Sequence, residues 1–174
     1  MSNFVKVKRI ARYEKVSYYS VIREGRAQSL FELFISKHQV DNKEKLNHIL
    51  SWLDVIAKKY GAQQQYFRNE AYISATSASP PQGINRAPTY IEDEEAVSNN
   101  LRLYCCRLNE RVVFLYDGDI KTEEKAQNCK NVKAHFLEAN RITKALDISI
   151  IDKNIVWNED CSDIIFDEEL DIEY

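Results

Sequence analysis

The chain has 174 residues, 44% of them hydrophobic and 29% charged, with four glycines, three prolines and a formal net charge of −3. That is enough for one domain of ordinary size with a real core, and it argues for regular elements over a flexible or fibrous chain. No run approaches the ~18 apolar residues that a membrane helix needs, so no membrane-spanning helix is expected.

Residues 1–15 are basic, but no apolar stretch follows them, so they do not read as a signal peptide and a cytoplasmic protein is expected. Residues 16–23 (VSYYSVIR) read as a strand that stops at Glu24-Gly25. Residues 29–37 suit helix or strand; Ser29 with Glu32 three residues on makes a capping box and favours helix. Asp41 and Glu44 then give a cap-like start to a clear amphipathic helix over 42–60. Leu46, Ile49, Leu50, Leu53, Ile56, Ala57 and Tyr60 recur at three- and four-residue spacing, and Gly61 is the stop. Residues 63–72 continue as a short element. Residues 74–100 hold all three prolines among Ser, Asn and acidic residues, and read as one long loop. A loop beyond ~15 residues in a compact domain is usually functional or disordered.

The most informative stretch is 99–127. Leu101–Arg107 and 111–117 are rich in apolar, β-branched and aromatic residues, with Leu108-Asn109-Glu110 between them, and predict an antiparallel hairpin. A turn centred on Asn109-Glu110 sets Arg107 opposite Val112, Cys105 opposite Phe114, Leu103 opposite Tyr116 and Arg102 opposite Asp117. One face is then apolar core. The other carries Arg102, Tyr104, Cys106, Arg111, Val113, Leu115 and Asp117. Residues 131–146 predict a second amphipathic helix, with Val132, Phe136, Ala139, Ile142, Ala145 and Leu146 on or near one face. The end scatters Ile155-Val156-Trp157 and Ile164-Ile165-Phe166 among carboxylates, to pair as extra strands or dock on the body.

The expected fold is α+β, a small antiparallel sheet with helices packed on one side. Residues 1–150 form one domain carrying the long loop 74–100, and 151–174 form an acidic C-terminal extension. Residues 1–150 hold 23 Lys+Arg against 18 Asp+Glu, a balance of +5; residues 151–174 hold one lysine against nine carboxylates, a balance of −8. A mildly basic body suits a nucleic-acid-facing surface, with the tail either masking part of it, solubilising the chain or completing the fold.

Cys105, Cys106, Cys129 and Cys161 form no CxxC pair and are read as reduced thiols, with neither a zinc nor a redox site. No HExxH, GxGxxG or P-loop pattern occurs, and no metal or cofactor is expected. Two readings of the hairpin stay open. In one, Arg102 and Asp117 form a cross-strand ion pair without chemistry. In the other, Arg102, Tyr104, Arg111 and Lys121 form a basic and aromatic rim where the second strand runs out at Asp119-Ile120. RNA cleavage by 2′-hydroxyl attack needs a base, an acid and cations for the charge building on phosphate. Lys121 is the foremost candidate, with Arg102 and Tyr104 as catalytic partners and Arg111 and Lys125 as RNA-binding cations. His135, on the second helix, suits a general acid or base. His38 and His48 are weaker candidates, and on a helix a satisfied structural histidine is the commoner case.

The order of elements, with Leu101-Arg102, Val112–Tyr116 and Ile120-Lys121-Thr122 on successive strands and Phe31-Glu32-Leu33-Phe34 before the long helix, resembles the RelE/ParE superfamily of small bacterial toxins, in particular its phage-derived, HigB-like branch. The resemblance covers about residues 16–146. It implies a toxin of a type II toxin–antitoxin system that inhibits translation by ribosome-associated mRNA cleavage. It implies RNA or the ribosome as target and a small antitoxin as protein partner. The alternative is a module that keeps the fold and binds protein or nucleic acid without chemistry.

Overall fold

The computed structural model describes residues 1–69, 76–81 and 88–174. Two strands, β1 (Phe4–Arg12) and β2 (Ser17–Arg23), open the chain and pair antiparallel. Helices α1 (Leu30–His38) and α2 (Lys43–Val55) follow. Short strands β3 (Arg68–Asn69), β4 (Thr76–Ser79), β5 (Ile91–Glu92) and β6 (Glu95–Ala96) lead to the long hairpin β7 (Leu101–Arg107) and β8 (Val112–Ile120). The chain ends with α3 (Lys133–Ile151) and strands β9 (Ile155–Trp157), β10 (Ile164–Phe166) and β11 (Ile172–Glu173).

The architecture is α+β, but the sheet is neither small nor antiparallel. Seven strands run in the order β11-β1-β2-β8-β7-β4-β3, and β2 and β8 pair parallel. The helices do not gather on one side. Phe31 and Phe34 of α1 and Ile49, Trp52 and Leu53 of α2 pack with Leu101, Leu103, Cys105, Val113 and Leu115 on one face. Phe136, Ala139, Ile142 and Leu146 of α3 pack with Tyr104, Cys106, Val112, Phe114 and Tyr116 on the other. The physical reason lies in β7 and β8. Nearly every residue of both strands is buried, so neither face can be left to water.

The hairpin register also departs from the expected one. The Asn109 carboxamide oxygen accepts from the backbone N–H groups of Arg111 (2.7 Å) and Val112 (2.9 Å), lengthening the turn. Arg107 therefore faces Val113, and Cys105 faces Leu115. A bulge between Leu103 and Cys105 adds a second step, so Arg102 faces Asp119 and not Asp117. Gly118 makes the bulge possible. A Cβ on Gly118 would lie 1.8 Å from the carbonyl oxygen of Arg102.

Other elements follow local chemistry. The α1 capping box is present: Glu32 N–H donates to Ser29 Oγ (3.2 Å) and Ser29 N–H to Glu32 Oε2 (2.7 Å). Helix α2 is capped by Asn42 without a side-chain bond, not by Asp41; it ends in a wide turn over Ile56–Tyr60, and Gly61 stops it at φ +75°. Strand β1, unexpected from the sequence, alternates Val5 and Val7 inward with Lys6 and Lys8 outward. The expected long loop 74–100 contains β4, β5 and β6; residues 74–75 and 82–87 of it lie outside the described residues, as do 70–72 of the expected element 63–72.

The acidic extension docks. Strand β11 pairs with β1, and β9 with β10. Asp163 is buried and accepts hydrogen bonds from Tyr19 Oη and from Arg9 (2.7 Å). Lys6 meets Glu169 at 2.6 Å. The tail thus covers Lys6 and Arg9 of β1 and fills core positions with Ile155, Ile164 and Ile172. Among the described residues no helix is long and apolar enough to cross a membrane.

Candidate functional site

The ladder between the parallel strands joins Ser17–Tyr19 to Val112–Phe114 and goes no further. Beyond it β2 continues to Arg23 against β1, and β8 continues to Ile120 against β7. The carboxyl ends of two parallel neighbours thus part at a place flanked by helices on both faces. Open crevices at such strand ends are common ligand sites.

A polar cluster fills this place. Asp117, 8% exposed, is near the end of β8. From α1, the Lys37 ammonium donates to Asp117 Oδ1 at 3.0 Å and stands 3.9 Å from Asp119 Oδ2. From α3, His135 Nδ1 lies 3.6 Å from Asp117 Oδ2, and its Nε2 faces Lys37 Nζ at 3.4 Å. An ammonium can only donate, so these partners assign His135 as a neutral imidazole with its proton on Nδ1, toward the carboxylate. Burial pushes the His135 pKa below its ordinary value; Asp117 opposes that shift and Lys37 adds to it.

A second histidine backs the first. His38 is buried at the end of α1 and stacks edge-on against Phe34. Asn42 Nδ2 donates to His38 Nδ1 at 2.9 Å, which leaves the ring proton on Nε2, facing Gly118 O at 3.4 Å and Asp119 Oδ1 at 3.9 Å. Burial lowers its pKa too. On the other side of His135, Glu138 accepts two bonds from the Arg23 guanidinium (2.7 and 2.5 Å) and one from Tyr174 Oη (3.0 Å). Burial works against the Glu138 carboxylate, but Arg23 prevails and holds it ionised below the usual range.

The chain matches no protein-family model, no curated protein and no solved structure, so its own geometry alone bears on what it does.

The residues singled out in the sequence are spread apart. Tyr104 is fully buried against Phe136, with ring centroids 5.8 Å apart. Arg102 is buried, and its guanidinium donates to the carbonyls of Asn99 (2.5 Å) and Leu101 (3.1 Å), pinning the entry to β7. Arg111 is exposed at the hairpin turn, the far end of β8 from Asp117; ten residues of strand put it ~30 Å from Lys121. Lys121 is half-buried just past β8, its backbone N–H on Asn100 O at 2.8 Å. Lys125 is exposed in the loop that follows. With Lys130 and Lys133, also exposed and in no ion pair among the described residues, it leads directly to His135. Cys129 lies under this loop. Burial disfavours its thiolate, but the Thr122 backbone N–H (3.3 Å) and hydroxyl (3.5 Å) outweigh that and bring the thiol down to about 7. None of the four cysteines is in a disulfide, and among the described residues no group of three or more His, Cys, Asp and Glu could hold a metal ion.

Sequence reasoning misses Lys37 and Asp117 as site residues. Their signal is modest: a Lys37-His38 pair at the end of one element and Asp117-Gly118-Asp119 at the end of another, both positions where side chains reach a sheet rim.

Proposed function

We propose that the chain acts on RNA, as a toxin-type ribonuclease whose proton-transfer group is His135, oriented by Asp117 and flanked by Lys37. The observation that carries this reading is the His135 ring set between the Asp117 carboxylate and the Lys37 ammonium where two parallel strands stop pairing. A neutral imidazole accepts a proton at physiological pH. In the proposed step the Lys37 ammonium swings from His135 Nε2 to the phosphate, and that nitrogen takes the proton of a 2′-hydroxyl. The 2′-oxygen bonds to the adjacent phosphorus, the bond to the 5′-oxygen breaks, and the leaving oxygen takes a proton from solvent. Lys37 neutralises charge on the phosphoryl oxygens. Lys121, Lys125, Lys130 and Lys133 supply phosphate contacts beside it. Translation arrest by mRNA cleavage, and a small protein antitoxin as partner, belong to the same proposal.

The test is expression of the chain in a bacterium beside His135→Gln and Lys37→Met variants, with RNA termini mapped. Growth arrest and 2′,3′-cyclic phosphate ends that disappear in both variants support the reading. Harmless expression with intact RNA sinks it.

A second reading, a binding module without chemistry, has its own support. Many cations are already matched by carboxylates: Lys6 by Glu169, Lys8 by Glu32, Arg9 by Asp163 and Arg23 by Glu138. The Lys37–Asp117–His135 cluster would then hold the two helices to the sheet and nothing more.

A further inference from the structure

A groove of about 500 Å³ runs between the turn from α1 to α2 and the β5–β6 hairpin. It lies outside the His135 cluster. The hairpin residues Ile91–Ala96 are all exposed. Two large aliphatic side chains line the groove without cover among the described residues: Val40 is 78% exposed and Ile91 55%. Single exposed aliphatics are ordinary, but two in one concave site mark a contact surface.

The charge of the lining sets what fits. Asp41, Glu44, Glu92 and Asp93 face two lysines, and one of these, Lys45, is already 4.0 Å from Glu92. Glu94 and Glu95 extend the acidic tip of the hairpin. A phosphate backbone would be repelled. A cationic segment with aliphatic side chains would bring charge to the rim and apolar groups to Val40 and Ile91. The hairpin offers short strands to which extended chain can add.

We propose that this groove docks an extended, basic and aliphatic segment of a partner protein. The inference stands independently of the chemistry assigned to His135. Asn42 nonetheless connects the two places. It lines the groove, and its Nδ2 holds His38, which faces Gly118 and Asp119. A segment bound in the groove therefore sits two side chains, Asn42 and His38, from Asp119.

The test uses the full chain and a fluorescein-labelled octapeptide of alternating Lys and Val, read by anisotropy. An octapeptide of alternating Glu and Val and a labelled RNA decamer serve as comparisons. Saturable binding of the Lys–Val peptide is expected, at least tenfold weaker in Val40→Asp, in Ile91→Asp and in the Glu44→Gln/Glu92→Gln double variant. It is expected to be unchanged in Glu168→Gln/Glu169→Gln, which alters the exposed tail. Circular dichroism checks folding, and amide shifts on titration should map to Val40–Lys45 and to Tyr90–Glu92. The proposal is overturned if the tail variant weakens binding as much as the groove variants, if the amide shifts lie elsewhere, or if Val40→Asp and Ile91→Asp weaken the RNA decamer instead.

Discussion

Lys37 Nζ stands 3.4 Å from His135 Nε2, although the two residues belong to helices on opposite faces of the same sheet. They can meet because β2 and β8 stop pairing after Tyr19 and Phe114, and Asp117 offers each of them one carboxylate oxygen. The cluster therefore reports on the sheet and both helix layers at once.

The first expectation concerns pH. His38 and His135 both have folded-state pKa values below the ordinary 6.5, chiefly through burial. Between the folded and unfolded values the unfolded chain binds more protons, so unfolding gains as pH falls. Their contribution to stability is complete above about 6.5 and is lost as pH drops below it. Asp117, Asp119, Glu138 and Lys37 face these rings and modulate the loss. Urea midpoints from pH 8 to pH 5 should fall less steeply in a His38→Asn/His135→Gln variant than in the wild type. Parallel profiles would refute the assignment.

Gly118→Ala tests the bulge. The added Cβ would meet the Arg102 carbonyl oxygen at 1.8 Å, and that atom is backbone in a paired strand. Relief must come from moving β7 or β8. A loss of about 3 kcal/mol or more is expected, at the upper end of overpacking costs, or roughly 6–12 °C in Tm for a chain of this size. A Tm within 2 °C or so of wild type would show that the strands adjust freely.

Asp163→Ala tests whether the acidic extension is part of the fold. The change leaves the buried Tyr19 hydroxyl without its carboxylate acceptor and takes the carboxylate from Arg9, which keeps its bond to Tyr19 Oη. The expected loss is about 1–3 kcal/mol, the range for a buried polar group left unsatisfied. Deleting residues 154–174 removes Ile155, Ile164 and Ile172 from the core and should unfold the chain, without yielding a tighter RNA binder. A truncated protein with a cooperative melt would reverse that conclusion.

Lys125, Lys130 and Lys133 test the RNA surface. Replacing all three with Ala should weaken single-stranded RNA binding and lower the slope of log K against log salt by about 2, at roughly 0.7 per phosphate contact. An unchanged slope would place the RNA elsewhere on the molecule or remove it from the account.

How much of this was legible depended on whether the deciding interaction was local. The capping box of α1, the stripe of α2 and the stop at Gly61 all act within a few residues and could be read directly. The hairpin could be read as a hairpin, but its register hung on one Asn109 side chain and one bulge at Gly118. Tyr104 and Cys106 lie in the packing under α3 and not on an outer face, because helices cover both sides of the hairpin. The parallel pairing of β2 with β8 leaves no trace in either segment, because it joins residues some ninety positions apart. The site suffered the same way. Lys37, Asp117 and His135 come from three distant segments, and of these only His135 carries a side chain that draws notice alone.

The pairing of β1 with β11 sets Phe4 opposite Glu173 and Val5 opposite Ile172, and Tyr174 N–H donates to Asn3 O at 3.0 Å. Strand β1 thus waits for an outer neighbour that is made 167 residues later, Val5 against Ile172. While the intervening residues are made, that edge stays open on the nascent chain, where another strand could add to it. Lys6 and Lys8, pointing outward from β1, are charges of the kind that discourage such pairing. In the finished molecule the same two lysines are held by Glu169 and Glu32. Lys6 therefore serves twice, first as a guard on an unfinished edge and then, through Glu169, as a clasp on the segment that covers it.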